Sequence, residues 1–340
     1  MKSPVRINWR SLSRWLPGVL ISLVALFVVL RLAKWQDLGP ALASIRPIYI
    51  LAAIGFTFLF LLVRAMAWRA ILGGKPTLSQ TFWVYNEGYL LNNILPFRAG
   101  EIGRGVLLGQ MTGLGTMNVL SSVVIERAFD LAIAAGLLLA TLPLALEMAW
   151  ARPVALITLS VVLAGLVLLF LISRNVEWVS RKVDEWGGRW KFTRKTIVPQ
   201  IHNLIRGLAI LSNPRQFLLG LGLILLAWLV AVSEYYVVML AIAPAAPYWW
   251  GIFTDAILAL GIAIPSAPAA LGTFEAAIVG ALKILGINET LGLAYAITLH
   301  FIQFVVTGIF GMIGLLRQGR SLGALFKDLR IRSEEKVKQD

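Results

Sequence analysis

The segment NNILPFRAGEIGR, residues 92–104, places charged side chains inside an otherwise apolar part of the chain. Arg98, Glu101 and Arg104 follow closely after Pro96, which interrupts a helix because it lacks a backbone donor. The planar guanidinium of arginine donates two parallel hydrogen bonds and therefore suits a phosphate group. The segment predicts a broken helix that carries a site for an anion.

A second charged segment, SSVVIERAFDLAIAAG, lies in the next long apolar run. Glu126 and Asp130 are four residues apart and share a helix face, and Arg127 is close enough to Asp130 to pair with it. With the first segment, these residues form a predicted network of three arginines and three acids. Two interpretations stay open: an ion-pair cluster that locks the broken helix to this span, or a phosphate site with the acids as competing counter-ions.

A third segment, IPSAPAALGTFE at residues 264–275, repeats the pattern of a broken helix. Its Pro268-x-x-x-Gly272 matches Pro96-x-x-x-Gly100 of the first segment. Glycine lets the backbone turn and approach a ligand closely. The residues predicted to form the hinges and loops of the two breaks are Asn93, Pro96, Gly100, Pro265, Pro268 and Gly272.

A half-helix is predicted to begin after each break, with free N–H groups and a dipole that favour anions. Glu101 and Glu275 lie in these first turns, where three roles are open: capping the helix, titrating, or holding a cationic head group. The candidate substrate-binding residues are Arg98, Glu101, Arg104, Glu126, Arg127, Asp130 and Glu275.

The composition is that of a membrane protein. Charged residues make up 14% of the 340 residues and hydrophobic residues 59%, with a mean hydropathy of +0.80, whereas soluble domains carry about 25% charged residues. The net charge of +14 comes from basic clusters between apolar runs, which fits an anionic lipid surface and excludes nucleic acid as the expected partner. With no cysteine and two histidines, neither a metal site nor any other cofactor is expected.

Six apolar runs approach or exceed the length of about 20 residues that spans a bilayer. They are Leu16–Ala33, Ile48–Ala67, Val119–Leu146, Pro153–Ile172, Phe217–Ile242 and Leu291–Leu316. Two further apolar regions, 81–110 and 249–286, are broken by proline and glycine and are predicted to be re-entrant hairpins. The alternative is that both regions cross the membrane as kinked helices.

Basic residues mark the expected cytoplasmic side. They cluster at the N-terminus, in segment 173–215 and in the tail at 317–340, which places both termini in the cytoplasm of a multi-pass inner-membrane protein. The first hairpin then enters from the cytoplasm and the second from outside. Segment 173–215 is also expected to lie on the inner leaflet as amphipathic helix.

The predicted fold class is all-α: a polytopic membrane helix bundle of about six full spans and two re-entrant broken-helix hairpins in an inverted-topology repeat. The repeats cover about 15–146 and 153–316 of a single membrane domain, residues 1–316.

Other ionisable residues within the apolar runs have less distinctive settings. Arg64, Asp255 and Lys283 lie near the ends of apolar runs, where reaching the interface is as good an interpretation as internal pairing. His300 shares one face of the last span with Gln303 and Thr307, which favours a set of interhelical hydrogen bonds over a proton relay.

The three quoted segments, in this order, resemble the transmembrane region of the lysylphosphatidylglycerol synthase family, over about residues 15–316. The resemblance implies a bacterial or archaeal cytoplasmic membrane protein, similar to a member that flips an aminoacylated phospholipid. That member also carries a soluble aminoacyltransferase domain; this chain stops at Asp340, so lysyl transfer from tRNA is not expected. The residues that fall on the family's motif positions are Arg98, Glu101, Arg104, Glu126, Arg127, Pro265, Gly272 and Glu275.

The function predicted from these features is a lipid translocase that moves a phosphate-bearing lipid through a charged site at mid-membrane. Its expected partners are membrane lipids: anionic or aminoacylated phospholipid, or another lipid phosphate. Three alternatives stay open: a membrane enzyme acting on a lipid-linked substrate, an accessory protein of envelope biogenesis, and a proton-coupled transporter of small solutes. The sequence is also compatible with a homo-oligomer.

Overall fold

The described part of the chain is helical. The computed structural model describes residues 20–28, 31, 34–146, 157, 160, 164–165, 168, 171, 174–187, 198, 213–263 and 266–319. Its helices are α1 (Trp35–Ala43), α2 (Pro47–Ile71), α3 (Leu78–Ile94), α4 (Ala99–Thr112), α5 (Thr116–Ala145), α6 (Val176–Gly187), α7 (Pro214–Ile242), α8 (Trp249–Gly261), α9 (Thr273–Ile284) and α10 (Glu289–Arg317), with a 3-10 turn at Pro268–Ala270. Residues 20–28 are also helical.

Four of these helices, α2, α5, α7 and α10, are long and apolar enough to cross a membrane. They contain 25 to 30 residues, or about 38–45 Å at 1.5 Å per residue, which exceeds the hydrocarbon thickness of about 30 Å. They confirm four of the six predicted spans. Of the other two, Leu16–Ala33 is described at residues 20–28, which are helical, and at residue 31. Most of Pro153–Ile172 and most of segment 173–215 lie outside the described residues.

Local sequence signals set where several helices begin. The Thr77 hydroxyl accepts from the Gln80 backbone N–H at 3.2 Å, and the Gln80 side chain accepts from the Thr77 N–H at 2.9 Å, so a capping box starts α3. The side chains of Asn213 and Asn288 cap α7 and α10 in the same sense.

Contacts between helices define two faces of the bundle. The Gln216 side chain, at the start of α7, donates to the Gly73 carbonyl just after α2, while Thr57 and Glu234 meet further along, so α2 and α7 are antiparallel. We call the side with loops 72–77 and 113–115 face A. The side with loops 243–248 and 285–288 is face B.

The two short helix pairs enter the bundle from opposite faces. Helices α3 and α4 begin and end at face A, whereas α8 and α9 begin and end at face B. Each of these helices has 12 to 17 residues, about 18–26 Å long, too short to cross. The order span, hairpin, span therefore recurs in reverse orientation within the described residues. This confirms the two predicted broken-helix hairpins and the inverted arrangement of these elements.

The tips of the two hairpins meet inside the bundle. The first tip is residues 95–98 and the second is residues 262–272. The Phe97 N–H donates to the Ser266 carbonyl at 3.4 Å. Pro265 of the second tip lies outside the described residues.

The repeated motif gives the same backbone twice. Phe97 and Arg98 follow Pro96 with φ of 58° and 54°, and Ala269 and Ala270 follow Pro268 with φ of 55° and 55°. Two successive non-glycine residues in the left-handed region are unfavourable and persist only where surrounding packing holds them. The same backbone conformation recurs at matching positions of the two halves. The shared spacing of proline and glycine therefore reflects a shared local structure.

Candidate functional site

A cavity of about 580 Å³ lies where the hairpin tips meet. Both tips and helices α2, α5, α7 and α10 contribute to its wall. The volume falls within the range of about 300–1,000 Å³ typical of ligand sites. Its wall is mainly apolar, with charged groups concentrated in two places.

The first concentration of charge is an ion-pair cluster with a buried part and an exposed part. The buried part is built around two ion pairs. Both Nη atoms of Arg64 bind the two carboxylate oxygens of Asp130, with Nη1 to Oδ1 at 2.9 Å. Arg104 Nη2 binds Glu126 Oε2 at 2.9 Å, and the Tyr85 hydroxyl donates to Glu126 Oε1 at 2.7 Å. The guanidinium of Arg104 also stacks on the Tyr85 ring, 4.4 Å from its centroid. These side chains are nearly inaccessible, so this part of the cluster fastens α2, α4 and α5 together.

The second part of the same cluster opens onto the cavity. The side chains of Arg98, Arg127 and Glu101 keep 33%, 24% and 20% of their surface exposed. Arg98 Nε lies 3.4 Å and Arg127 Nη1 lies 3.6 Å from Glu101 Oε1, which are loose contacts. Arg127 also binds Glu126 and Asp130, at 2.9 and 3.0 Å, and so joins the two parts. We call Arg98 and Arg127 the outer arginines.

Arg64 changes the charge balance predicted from sequence. From sequence, pairing and interface contact are equally good interpretations for this residue, and the structure places it at the centre of the cluster with 5% of its side chain exposed. Four guanidinium groups thus face three carboxylates, instead of three facing three, and one positive charge is in excess when all are ionised. The only signal in the sequence was a single arginine within the apolar run FLLVRAMAW.

The seven residues predicted to bind substrate separate into two sites. Six of them form the ion-pair cluster together with Arg64. Glu275 belongs elsewhere: its Oε2 accepts from the Gly272 N–H at 2.7 Å and its Oε1 lies 2.6 Å from His300 Nδ1. It therefore caps α9 and pairs with His300, whose other ring nitrogen lies 2.9 Å from the Ala269 carbonyl.

The starts of the half-helices already have protein partners. The Asn92 side chain accepts from the Gly100 N–H at 2.8 Å, just as Glu275 accepts at the start of α9. A Cβ atom at Gly100 would overlap the Gly88 carbonyl, so the small side chain there allows α3 and α4 to pack closely. Binding of an anion in the cavity would consequently depend on the outer arginines more than on helix dipoles.

The second charged group of the cavity consists of two carboxyl side chains, Glu234 and Asp255. Of the two settings predicted for Asp255, interface contact is wrong, because only 7% of the residue is exposed. Gln303 and Thr57 donate to Glu234 Oε1, both at 3.1 Å. In contrast, Lys283 is exposed and pairs with Glu289 at 2.8 Å near face B.

The hydrogen-bonding face predicted on the last span is confirmed. His300 binds Glu275, Gln303 binds Glu234, and Asn93 of the first hairpin donates to the Thr307 hydroxyl at 3.0 Å. These bonds tie α10 to both hairpins and to α7. Among the described residues, no three histidine, aspartate or glutamate side chains are grouped as a metal ion would require.

Comparisons with known proteins agree with this architecture. A UPF0104 membrane protein of Methanocaldococcus jannaschii is 26% identical over 226 residues, covering 66% of this chain and 92% of that protein. A UPF0104 membrane protein of Methanothermobacter thermautotrophicus is 24% identical over 325 residues, covering 90% of this chain and 94% of its own length. No solved structure matches the chain. The model of the family described as lysylphosphatidylglycerol synthase TM region matches residues 15–311. The chain is therefore a member of that family of integral membrane proteins.

Proposed function

We propose that the protein moves a phosphate-bearing lipid between the two leaflets of the membrane. The observation that carries this proposal is the position of the outer arginines on the wall of a cavity formed by two opposed hairpin tips. Guanidinium groups bind phosphate by charge-assisted, often bidentate hydrogen bonds. The single excess positive charge of the cluster matches one phosphodiester anion.

The apolar part of the cavity wall suits the rest of a lipid. Ile102, Leu131 and Phe304 line the cavity and are also exposed on the surface of the bundle. Exposed apolar surface at this depth can remain in contact with acyl chains while the head group occupies the cavity. A small soluble anion has no acyl chains to contact this apolar surface, so the surface favours a lipid as the substrate.

The charged cluster lowers the main barrier to such movement. An unpaired charge at the centre of a bilayer costs at least about 2.5–3.5 kcal/mol on insertion scales, and this cost applies to a lipid phosphate as well as to a side chain. The outer arginines would offset it with charge-assisted hydrogen bonds. Rocking of the two inverted repeats would then open the cavity to each face in turn, as in transporters with this symmetry.

The proposed orientation puts face A in the cytoplasm of an inner-membrane protein. Arg69, Lys75, Arg215 and Arg317 lie at the ends of helices or in loops on face A. Basic residues are retained preferentially on the cytoplasmic side. Both termini would then be cytoplasmic, and the first hairpin would open towards the cytoplasm.

The test is lipid movement in proteoliposomes with Arg98→Gln. Fluorescent phosphatidylglycerol, phosphatidylethanolamine and phosphatidic acid are incorporated in turn, and a membrane-impermeant reductant reports the fraction that has changed leaflet. A hydrogen bond to a charged group contributes about 1.5–3 kcal/mol, so we expect the variant to slow movement of the preferred lipid by about tenfold or more.

The matched control is Arg46→Gln, because Arg46 is exposed before α2 and remote from the cavity. It should move lipid as the unmodified protein does. If no lipid of the panel moves faster than in protein-free liposomes, or if Arg98→Gln has no effect, the proposal is wrong. Recovery of a chemically altered lipid would instead support the enzyme alternative.

A further inference from the structure

The carboxyl groups of Glu234 and Asp255 face the cavity without a cationic partner in the described part of the chain. Glu234, on α7, is 2% exposed and Asp255, on α8, is 7% exposed. Asp255 Oδ2 is fully buried and has no hydrogen-bond partner. Both hydrogen bonds that Glu234 accepts end on Oε1, which leaves Oε2 free of those donors.

The groups around Asp255 make an ionised state more costly. The titratable groups that interact with it electrostatically are Arg64 of α2, Asp130 of α5, Glu234 and Tyr235 of α7, and Tyr295 of α10. His300 of α10 lines the same cavity. Two of these neighbours are acids. Arg64, the arginine among these neighbours, has both Nη atoms bound to Asp130, and His300 is paired with Glu275 of α9.

A buried carboxylate with neither a cation nor a full set of donors is strongly destabilised and neutralises instead. Two such groups on the wall of one cavity repel one another when both are ionised, so at most one negative charge is readily tolerated. The proton is the smallest cation that resolves both problems. The cavity gives it a route to the pair.

We infer that Glu234 and Asp255 form a proton-binding site on the wall of the cavity that the outer arginines also line. The next step rests on the proposed function. The cavity carries one excess positive charge when both carboxyl groups are protonated, and one excess negative charge when both are ionised. A bound lipid phosphate therefore favours the protonated pair, so proton binding and head-group binding support each other.

The site is tested without transport by infrared difference spectroscopy on the purified protein in liposomes. A protonated carboxylic acid has a C=O stretch that ionised carboxylates lack. We expect this band near neutral pH in the unmodified protein, a smaller band in Asp255→Asn, and further loss in the double variant with Glu234→Gln. Glu289→Gln is the control, because Glu289 is ion-paired with Lys283 and should contribute no such band.

An unchanged band in both Asp255→Asn and the double variant, with each eluting as a single folded species, would overturn the proton site. The coupling is tested by the rate of lipid movement across an imposed pH gradient. We expect the rate to follow the gradient in the unmodified protein and to be insensitive to it in Asp255→Asn. If the protein moves lipid but the C=O band is the same in the unmodified protein and in the variants, the proton site alone is refuted. If the band differs between them but no lipid moves, the translocase alone is refuted.

Discussion

Charged side chains of the cluster differ in how much of their surface water or a ligand can reach. Arg64 and Arg104 are almost fully enclosed by Asp130, Glu126 and aromatic rings, while Arg98 keeps a third of its side-chain surface exposed. We propose that the two interpretations left open by the sequence, structural lock and phosphate site, apply to different residues of one network. The buried arginines stabilise the bundle, and the proposed phosphate contacts belong to the outer ones, of which Arg127 is also bound to Glu126 and Asp130.

Arg64→Met should destabilise the protein more than any change to an outer arginine. Asp130 would lose its bidentate partner and remain bound to Arg127 and the Trp228 indole. Breaking a buried ion pair by removing one member costs about 3–5 kcal/mol, and we expect the lower end because Arg127 remains. Unfolding by denaturant in detergent micelles measures the loss.

Arg46→Met is the control for this comparison, since Arg46 is exposed. It should change the free energy of unfolding by less than about 0.5 kcal/mol. A similarly small effect of Arg64→Met would mean that the buried ion pairs do not hold the helices together.

At the scale of elements, the repeated spacing of proline and glycine breaks each hairpin at its tip, and the two tips meet from opposite faces of the bundle. Each tip needs two left-handed residues after its proline, and each following helix starts with an N–H group bound by a nearby side chain, Asn92 in one half and Glu275 in the other. These local features explain why the helices stop at mid-depth. Close packing of α3 on α4 then fixes the direction of the first tip.

Gly100→Ala tests that packing. The added methyl group would overlap the Gly88 carbonyl and crowd Asn92, so α3 and α4 must separate. Overpacking of this kind costs about 1–3 kcal/mol, which a shift of the thermal unfolding midpoint in micelles would report. Gly55→Ala on α2 has open space around the new atom and should be neutral or slightly stabilising. Equal thermal unfolding midpoints for Gly100→Ala and Gly55→Ala would contradict the close packing of α3 on α4.

At the scale of the whole molecule, the arrangement depends on both hairpins returning to the face from which they came. The chain contains no cysteine, so single cysteines can report this topology. Cysteines replacing Lys75 and Met117, which flank the first hairpin at face A, should react with an impermeant maleimide from one side of sealed vesicles. Cysteines replacing Ala245 and Lys283, which flank the second hairpin at face B, should react from the other side.

Labelling of Lys75→Cys and Met117→Cys from different sides would show that the first helix pair crosses the membrane. The same result for Ala245→Cys and Lys283→Cys would show it for the second pair. Either outcome would remove the opposed tips and, with them, the cavity on which both proposals depend.

Much of the architecture followed from sequence because its causes are local. Apolar runs of sufficient length specify spans, and proline followed by glycine four residues later specifies a break, so the order of spans and hairpins was predictable from hydropathy and spacing. The ion-pair cluster was predictable in part, since Glu126, Arg127 and Asp130 lie on one helix and Arg98, Glu101 and Arg104 on another.

The tertiary structure alone decided which charges meet across the bundle. Arg64 joins Asp130 from 66 residues away, and Asp255 comes to face Glu234 from a separate helix. Which helix faces pack together depends on side-chain shape and on the meeting of the two tips, and no spacing along the chain encodes that. The sequence by itself thus determined a broken-helix membrane bundle with charges at depth. Only the folded arrangement separated the buried arginines from the outer ones, and left Glu234 and Asp255 without a cationic partner among the described residues.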